Sequence, residues 1–348
     1  MGTVVRFDAP ESVSLAEEPD APLGATGVRL RTLYSGISAG TELTIYRGTN
    51  PTVTKTWEPA SRLFVPGQPT VEFPTVVGYE EVGEVVEVGS AVPAVHTGQL
   101  VWGIWGHRST SVVEETYAAQ RILPPDADPV LGIFSHIGSV ALNAVLDADI
   151  HVGETVAVFG LGVPGQIVAQ LARRNGARVI AVDAMPHRLE LARQLGAEVT
   201  IDARAGRVAE QVRALTGGRG ADVVLEVSGN HQALHEAVRT VAPNSRVVVA
   251  GFFQGGAAGL HLGEEFHMNR VQLVCSQISG PAPALSHRWD RARLATTIID
   301  LAVAERVLLR PLVSHVLPVT EAAAAYELLA TRPEQTLQVV LEFTARTP

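Results

Sequence analysis

The most constraining feature of this sequence is a glycine-rich turn between a strand pattern and a helix pattern. The apolar run Thr155–Phe159 predicts a buried strand, and residues 166–174 have the pattern of a helix. Glycines in such a turn let the backbone bend tightly and approach a ligand, and the helix N-terminus then faces a pyrophosphate. The turn has the form GxGxxG and predicts cofactor contacts at Gly160, Leu161, Gly162, Val163, Pro164 and Gly165.

The next apolar run predicts the type of dinucleotide. Asp183 directly follows the apolar run 178–182 and lies 23 residues beyond Gly160. An acidic residue at about this distance accepts hydrogen bonds from the adenine-ribose hydroxyls and repels a 2′-phosphate, so we expect NAD rather than NADP. Arg188 could meet a phosphate, or it could be a solvated residue in a helix that starts near Pro186. The alternative for the whole motif is a glycine-rich turn in another doubly wound domain.

Two later turns are expected to complete the cofactor site. Ser228 follows the apolar run 221–227, and Gly251 and Phe252 follow the run 246–250. Because ligands of open α/β sheets lie beyond the carboxyl ends of the strands, these residues should border the nicotinamide half of the dinucleotide. The alternative is that they form ordinary strand-to-helix turns.

The hydrophobic pattern divides the chain into regions of different character. The first 130 residues show short alternating runs broken by Gly and Pro, which predict antiparallel strands. From about Gly132, continuous apolar runs alternate with helical patterns, which is typical of a parallel sheet covered on both faces. After Gly280, a helix, a strand, a helix and a closing strand follow. The pattern alone leaves open whether this tail extends the parallel sheet or returns to the first domain.

Composition excludes several classes of function. The 348 residues include 27 Lys and Arg against 36 Asp and Glu, a net charge of −9, which disfavours a nucleic-acid partner. Cys275 is the single cysteine, so disulfides within the chain and a four-thiolate zinc site are excluded. The sequence shows no signal peptide and no apolar run long enough to span a bilayer, residues 154–172 being only fairly apolar. We therefore expect a cytoplasmic protein with a small-molecule substrate and no membrane partner.

An ordered series of motifs resembles a known family. Residues 78–89 (GYEEVGEVVEVG) and 98–102 (GQLVW), followed by the nucleotide motif, are similar to the medium-chain dehydrogenase/reductase superfamily over nearly the whole chain. The resemblance implies a GroES-like catalytic domain formed by residues 1–130 and 281–348, and a Rossmann domain at residues 131–280. It also implies an active site in the cleft between them and a homodimer or homotetramer, with residues 271–278 as an intersubunit sheet edge.

The departures from the zinc-dependent members indicate that the metal is lost. Where those members carry a cysteine in a Gly-Ile-Cys-Gly-Thr-Asp-like segment, this chain has Ser38; where they carry a histidine before glutamate, it has Tyr79; and His136 aligns with their third ligand. The cysteine-rich structural-zinc lobe is missing. Serine and tyrosine are poor zinc ligands, so we predict no metal. The chain most resembles the zinc-lacking branch that includes bacteriochlorophyllide dehydrogenase.

The residues at the former ligand positions are the catalytic candidates. His136 titrates near neutrality and is the first choice for the base, although it could be a packing histidine. Tyr79 could donate to or accept from the substrate oxygen if a neighbour lowers its pKa, or it could fill the volume left by zinc. Glu80 is expected to have a structural role and to pair with an arginine, because a buried unpaired carboxylate is costly. Ser38 and Thr41 could bind substrate hydroxyls or close a turn.

Three functions remain open from the sequence. The first is an NAD-dependent alcohol dehydrogenase that acts without zinc on a sugar, cyclitol or polyol. The second is an NAD(P)H-dependent reductase of conjugated double bonds or quinones, against which Asp183 argues because such reductases mostly use NADPH. The third is a non-catalytic NAD-binding protein, which the cluster of polar residues disfavours.

Overall fold

The computed structural model describes residues 1–343, and its mixed α/β architecture confirms the predicted fold class. The strands are β1 (Gly2–Ala9), β2 (Ser12–Glu18), β3 (Gly27–Ile37), β4 (Thr56–Glu58), β5 (Leu63–Val65), β6 (Thr75–Val76), β7 (Glu81–Val88), β8 (Leu100–Gly103), β9 (Thr110–Glu114), β10 (Thr155–Phe159), β11 (Arg178–Asp183), β12 (Val199–Asp202), β13 (Ala221–Glu226), β14 (Val241–Val249), β15 (Gln272–Cys275), β16 (Val313–Pro318) and β17 (Gln338–Glu342). The helices are α1 (Thr41–Tyr46), α2 (Pro51–Thr54), α3 (Glu115–Ala119), α4 (Phe134–Ala148), α5 (Val163–Arg174), α6 (Pro186–Gln194), α7 (Val208–Leu215), α8 (His231–Thr240), α9 (Arg291–Val303) and α10 (Ala322–Thr331).

The chain divides into two compact units. Unit 1 contains Met1–His136 and the chain from Leu309 onward, and unit 2 contains Ile137–Leu308. These boundaries lie beyond residues 130 and 280, because α9 packs closely on α4. A methyl group at Gly138 of α4 would lie 2.4 Å from Ile298 Cγ2 of α9, so the two helices meet at a position where only glycine fits.

Unit 2 is a doubly wound parallel sheet. Its strand order is β12-β11-β10-β13-β14-β15, and every neighbouring pair is parallel. All five residues of β10 are buried, as expected for an apolar strand with helices on both faces. The strand order reverses between β10 and β13, and ligands of such sheets bind outside the carboxyl ends of the strands at this point.

Unit 1 is rich in antiparallel strands. Its largest sheet has the order β16-β17-β3-β7-β8, with β9 also paired to β3, and a second sheet has the order β2-β1-β6. The tail therefore returns to the first unit: β17 pairs antiparallel with β3 and parallel with β16. This pairing answers the question that the pattern of the tail leaves open.

One segment is long and apolar enough to cross a membrane by length and composition. Pro129–Ala148 spans 20 residues with a mean hydropathy of 1.6, and 67% of its most apolar window is buried inside the protein. The expectation that no apolar run reaches this length was wrong. Its burial is that of a core helix, and a core helix passes the same test of length and composition.

Candidate active site

The glycine-rich turn of unit 2 joins β10 to α5, as predicted. Gly160 has a φ of +88°, and a methyl group there would lie 2.7 Å from the Ser228 backbone nitrogen. A methyl group at Gly165 would lie 1.8 Å from the Gly160 carbonyl oxygen. Gly162 precedes α5, with Val163 and Pro164 in its first turn and no side chain capping its N-terminus. The free N–H groups of that turn can therefore bind an anion.

Asp183 ends β11 and holds the glycine-rich turn. Its Oδ2 accepts a hydrogen bond of 2.6 Å from the Leu161 N–H, and its Oδ1 accepts one of 2.7 Å from the Met185 N–H. The carboxylate is 8% exposed and retains lone pairs for further donors. Asp183 thus stands beside the anion-binding turn, with capacity to accept hydroxyl donors.

Arg188 lies in α6, which begins at Pro186 as expected. Its backbone carbonyl accepts a hydrogen bond of 2.8 Å from the Gln166 side chain, and this bond ties α6 to α5. The residue is only partly exposed rather than fully solvated, because α5 covers the first turn of α6.

The turns after β13 and β14 meet around a buried carboxyl group. Glu226 is fully buried and accepts hydrogen bonds from the Ser228 N–H at 2.8 Å and the Gly229 N–H at 3.2 Å. Burial raises the pKa of Glu226, although these hydrogen bonds oppose the shift. A methyl group at Gly251 would lie 2.7 Å from Glu226 Oε2, and one at Gly229 would lie 2.6 Å from the Phe252 carbonyl oxygen. The structure therefore brings Ser228, Gly251 and Phe252 together.

In unit 1, two of the catalytic candidates lie in ring contact. The Tyr79 and His136 rings meet edge to face, with centroids 4.8 Å apart. The Tyr79 hydroxyl donates a hydrogen bond to Ser38 Oγ, and Thr41 also bonds to the phenol. Burial, Glu80 and Glu42 raise the pKa of Tyr79, so no neighbour prepares it to act as a base. The tyrosine is a neutral hydrogen-bond donor next to an imidazole.

Within residues 1–343, Glu80 has no arginine partner of the kind that was expected. It is fully buried, and the Gln338 side chain lies next to its carboxyl group. Burial and the nearby Glu42 and Glu81 raise the pKa of Glu80 well above its ordinary value. The prediction was wrong because β3 approaches too closely: a methyl group at Gly36 would lie 2.6 Å from Glu80 Oε2. The raised pKa favours the neutral acid, which needs no ion pair.

Sequence reasoning missed a buried charge network in unit 1. His107 is fully buried, and its Nε2 lies 2.8 Å from Glu42 Oε2. Its Nδ1 lies 2.5 Å from Ser35 Oγ, which in turn donates to Glu81 Oε1 at 3.1 Å. Burial lowers the pKa of His107, but the charges of Glu42 and Glu81 and the bond to Glu42 outweigh burial and raise it. The two acidic side chains thus favour the protonated form of His107.

Tyr326 completes this network from the far end of the chain. Its hydroxyl donates a hydrogen bond of 2.5 Å to Glu42 Oε2, and Glu42 Oε1 accepts one of 3.1 Å from the Ser38 N–H. Glu42 thus fixes the backbone of the residue that receives the Tyr79 hydrogen bond. The only sign of this role of Glu42 in the sequence is its position directly after the Ser38–Thr41 segment.

Two family profiles match the sequence. The profile for the alcohol dehydrogenase GroES-like domain matches residues 24–153, and the profile for zinc-binding dehydrogenase matches residues 162–292. The D-guloside 3-dehydrogenase of Escherichia coli K12 is 30% identical over 345 residues, which cover 96% of this chain and 98% of that protein. The L-threonine 3-dehydrogenase of Saccharopolyspora erythraea is 27% identical over 379 aligned residues, and the alignment covers 99% of this chain and 100% of that protein.

Solved structures share the fold over the full length. The short chain alcohol dehydrogenase rspB of Escherichia coli CFT073, crystallised with NADH, superposes with a TM-score of 0.76. The alignment covers 98% of this chain and 99% of that one, at 19% sequence identity.

Proposed function

Because this chain belongs to the medium-chain dehydrogenase/reductase superfamily, we propose that it oxidises a secondary alcohol of a sugar, cyclitol or polyol with NAD and without a catalytic zinc ion. Membership of the superfamily confirms the resemblance found in the sequence. The chain is an alcohol-type oxidoreductase that uses a nicotinamide cofactor. The substrate class, the preference for NAD and the zinc-free chemistry are the proposal.

One observation carries the proposal: the contact of Tyr79 with His136 and Ser38. By the resemblance of the sequence, these two hydroxyl groups and the imidazole correspond to the three positions at which zinc-dependent members hold the metal. Two hydroxyl donors, Ser38 and Tyr79, beside one imidazole acceptor, His136, suit a substrate with several neighbouring hydroxyl groups. The likeness to a dehydrogenase of a guloside supports the same class of substrate.

The donor set does not fit a catalytic zinc ion. Catalytic zinc sites use imidazole, thiolate and carboxylate ligands. Here Ser38 offers a neutral hydroxyl, and Tyr79 stays a phenol because its pKa is raised. His136 and Glu80 are the two remaining groups of a usual ligand type, so zinc would have fewer than the usual three protein ligands.

The chemistry needs two transfers from a carbinol group. A bound nicotinamide would supply the hydride acceptor. His136 takes the hydroxyl proton as general base. Tyr79 donates to Ser38 Oγ, which leaves the Ser38 hydroxyl proton free to bond the substrate oxygen as negative charge develops there. Thr41, at the start of α1, binds an adjacent hydroxyl group of the substrate.

The preference for NAD rests on Asp183. Its carboxylate stands at the end of β11 beside the free N–H groups of the glycine-rich turn. Ribose hydroxyls can donate to its remaining lone pairs, whereas a 2′-phosphate would meet a fixed negative charge.

The test is steady-state kinetics on metal-analysed protein with NAD⁺ and NADP⁺ and a panel of glycosides, cyclitols, polyols and L-threonine. We expect turnover with NAD⁺ and a polyhydroxylated substrate, retained after treatment with a chelator. His136→Gln should lower kcat by about 100-fold or more, the usual contribution of a general base, with the NAD⁺ dissociation constant within twofold of wild type. His96→Gln, an exposed histidine of the same unit, is the matched control and should leave both constants unchanged.

Other outcomes would reject the proposal in distinct ways. NADPH-dependent reduction of enones or quinones that survives His136→Gln would assign the chain to the conjugated-bond reductases. Binding of NAD⁺ with no turnover on any alcohol would favour a non-catalytic protein. Activity that is lost on chelation and restored by zinc would contradict the zinc-free mechanism.

We also propose that β15 pairs with its copy in a homodimer, alone or within a homotetramer. β15 is an edge strand of the unit 2 sheet, and an unpaired edge is a template for another strand. Light scattering should report at least two chains per particle, and Val274→Pro in β15 should yield monomers.

A further inference from the structure

A second cluster of potential ligands lies in unit 2, apart from the glycine-rich turn. One nitrogen of His235 and one carboxyl oxygen each of Glu264 and Glu265 lie within 4.8 Å of one another. His235 lies in α8, and the two glutamates lie in a short π-helical turn, Leu262–Phe266. Neither the comparisons nor the proposed reaction gives these residues a role.

Two atoms of the cluster are buried without a partner. His235 Nδ1 and Glu265 Oε2 have no hydrogen bond within residues 1–343, and each is shielded from solvent. A buried polar atom that lacks a partner costs about 1–3 kcal/mol. A ligand bound among these three residues could satisfy both atoms.

The neighbouring charges favour a cation at that point. Glu265 Oε1 forms an ion pair of 3.3 Å with Arg239 Nε, which leaves Oε2 without a partner within residues 1–343. Arg239 is already paired with Glu236 at 2.5 Å and Glu210 at 2.9 Å. Because three carboxylates share one guanidinium and Glu264 adds a fourth negative charge, the surroundings remain negative. Arg239 therefore orients Glu265 without neutralising the site, as partners of metal ligands commonly do.

The chemistry of the donors selects the class of cation. Ca²⁺ and Mg²⁺ prefer oxygen ligands alone, whereas one imidazole with two carboxylates is a set used by Zn²⁺ and similar transition ions. The exposed ring of His261 packs edge-on against the His235 ring, with centroids 5.2 Å apart, and supplies a further imidazole next to the cluster. We propose that His235, Glu264 and Glu265 form a binding site for a divalent transition-metal ion that joins α8 to the turn 262–266.

The test is calorimetric titration of the metal-stripped full chain with Zn²⁺ alone, repeated with Co²⁺ while the visible absorption is recorded. We expect one ion per chain at this site, with affinity at least tenfold lower in His235→Ala and in Glu264→Gln. Glu264 is exposed and forms no ion pair with any residue that the structure describes, so its substitution should not disturb folding. His267→Ala, an exposed histidine three residues beyond Glu264, is the matched control and should bind as wild type does.

A chain that takes up no Zn²⁺ would overturn the proposal, as would unchanged affinity in both His235→Ala and Glu264→Gln. Uptake that disappears in His136→Gln but persists in His235→Ala would also overturn it, because the ion would then lie in unit 1. The inference does not depend on the proposed reaction, since the readout is metal binding and His235→Ala should retain the catalytic rate.

Discussion

Replacement of Glu80 by glutamine should remove a large part of the pH dependence of stability. Glu80 is fully buried, and burial together with Glu42 and Glu81 raises the pKa of its carboxyl group well above the ordinary value of 4.5. The folded chain therefore holds this proton at pH values at which the unfolded chain has released it. Stability then falls as the pH rises above 4.5, because the folded state binds more protons than the unfolded state.

The magnitude follows from the number of pH units. Each unit over which the folded group stays protonated and the unfolded group is ionised costs about 1.4 kcal/mol. Between pH 5 and pH 7 the wild-type chain should lose up to about 2.7 kcal/mol through this one group, the full amount applying where the folded carboxyl group stays protonated throughout. Glu80→Gln carries no proton to release, so its free energy of unfolding should lack this decrease.

The assay is urea unfolding of both proteins at pH 5, 6 and 7, with the difference between them plotted against pH. Glu87→Gln is the matched control: Glu87 lies on the same strand, β7, but is exposed and pairs with Arg29. Infrared spectra should show a carbonyl band of a protonated carboxyl group at pH 7 that is missing in Glu80→Gln. Parallel pH profiles for wild type and Glu80→Gln would refute the reasoning.

Three further predictions concern the two units separately. Gly165→Ala should abolish NAD⁺ binding in a cofactor titration, since its methyl group would lie 1.8 Å from the Gly160 carbonyl oxygen; wild-type affinity would contradict this packing. Asp183→Ser should shift the ratio of NADP⁺ to NAD⁺ affinity at least tenfold toward NADP⁺, and an unchanged ratio would remove Asp183 from the ribose site. His107→Gln should destabilise the chain to urea by about 3 kcal/mol at pH 6, because Glu42 would be left buried without its cation. The raised pKa of His107 means that this stabilisation is present below 6.5 and is lost as the pH rises through the raised value, so the difference should shrink toward pH 10.

The sequence predicts the cofactor half of the candidate site better than the catalytic half. The strand, the glycines and Asp183 of unit 2 follow one another closely in the chain, and each has a local physical reason for its place. The bonds of Asp183 to the Leu161 and Met185 N–H groups explain why an acidic residue there also supports the turn itself. The local sequence pattern is sufficient to predict a site when its residues lie within one segment of about 30 residues, as the glycines and Asp183 do here.

The network of unit 1 depends on contacts that no local pattern records. Tyr326 and Glu42 are 284 residues apart, and the bond between Gln338 and the Ile37 carbonyl spans 301 residues. Glu80 and Glu81 are adjacent in the sequence, but a strand pattern does not reveal which neighbours surround either carboxyl group. The expected arginine for Glu80 was a general argument about charge, and the close passage of Gly36 decided against it.

The position of β17 has a consequence for synthesis on the ribosome. This strand lies between β16 and β3, so the sheet that begins with residues near the N-terminus receives an interior strand from the last ten residues described. Until those residues emerge, β3 has an open edge with unpaired N–H and C=O groups, which can pair with other chains. Unit 2 has no such dependence, because all six of its strands lie between Thr155 and Cys275. A chain stalled or truncated before Gln338 should therefore carry a folded nucleotide-binding unit and an aggregation-prone first unit, which makes the intact C-terminus a condition for solubility.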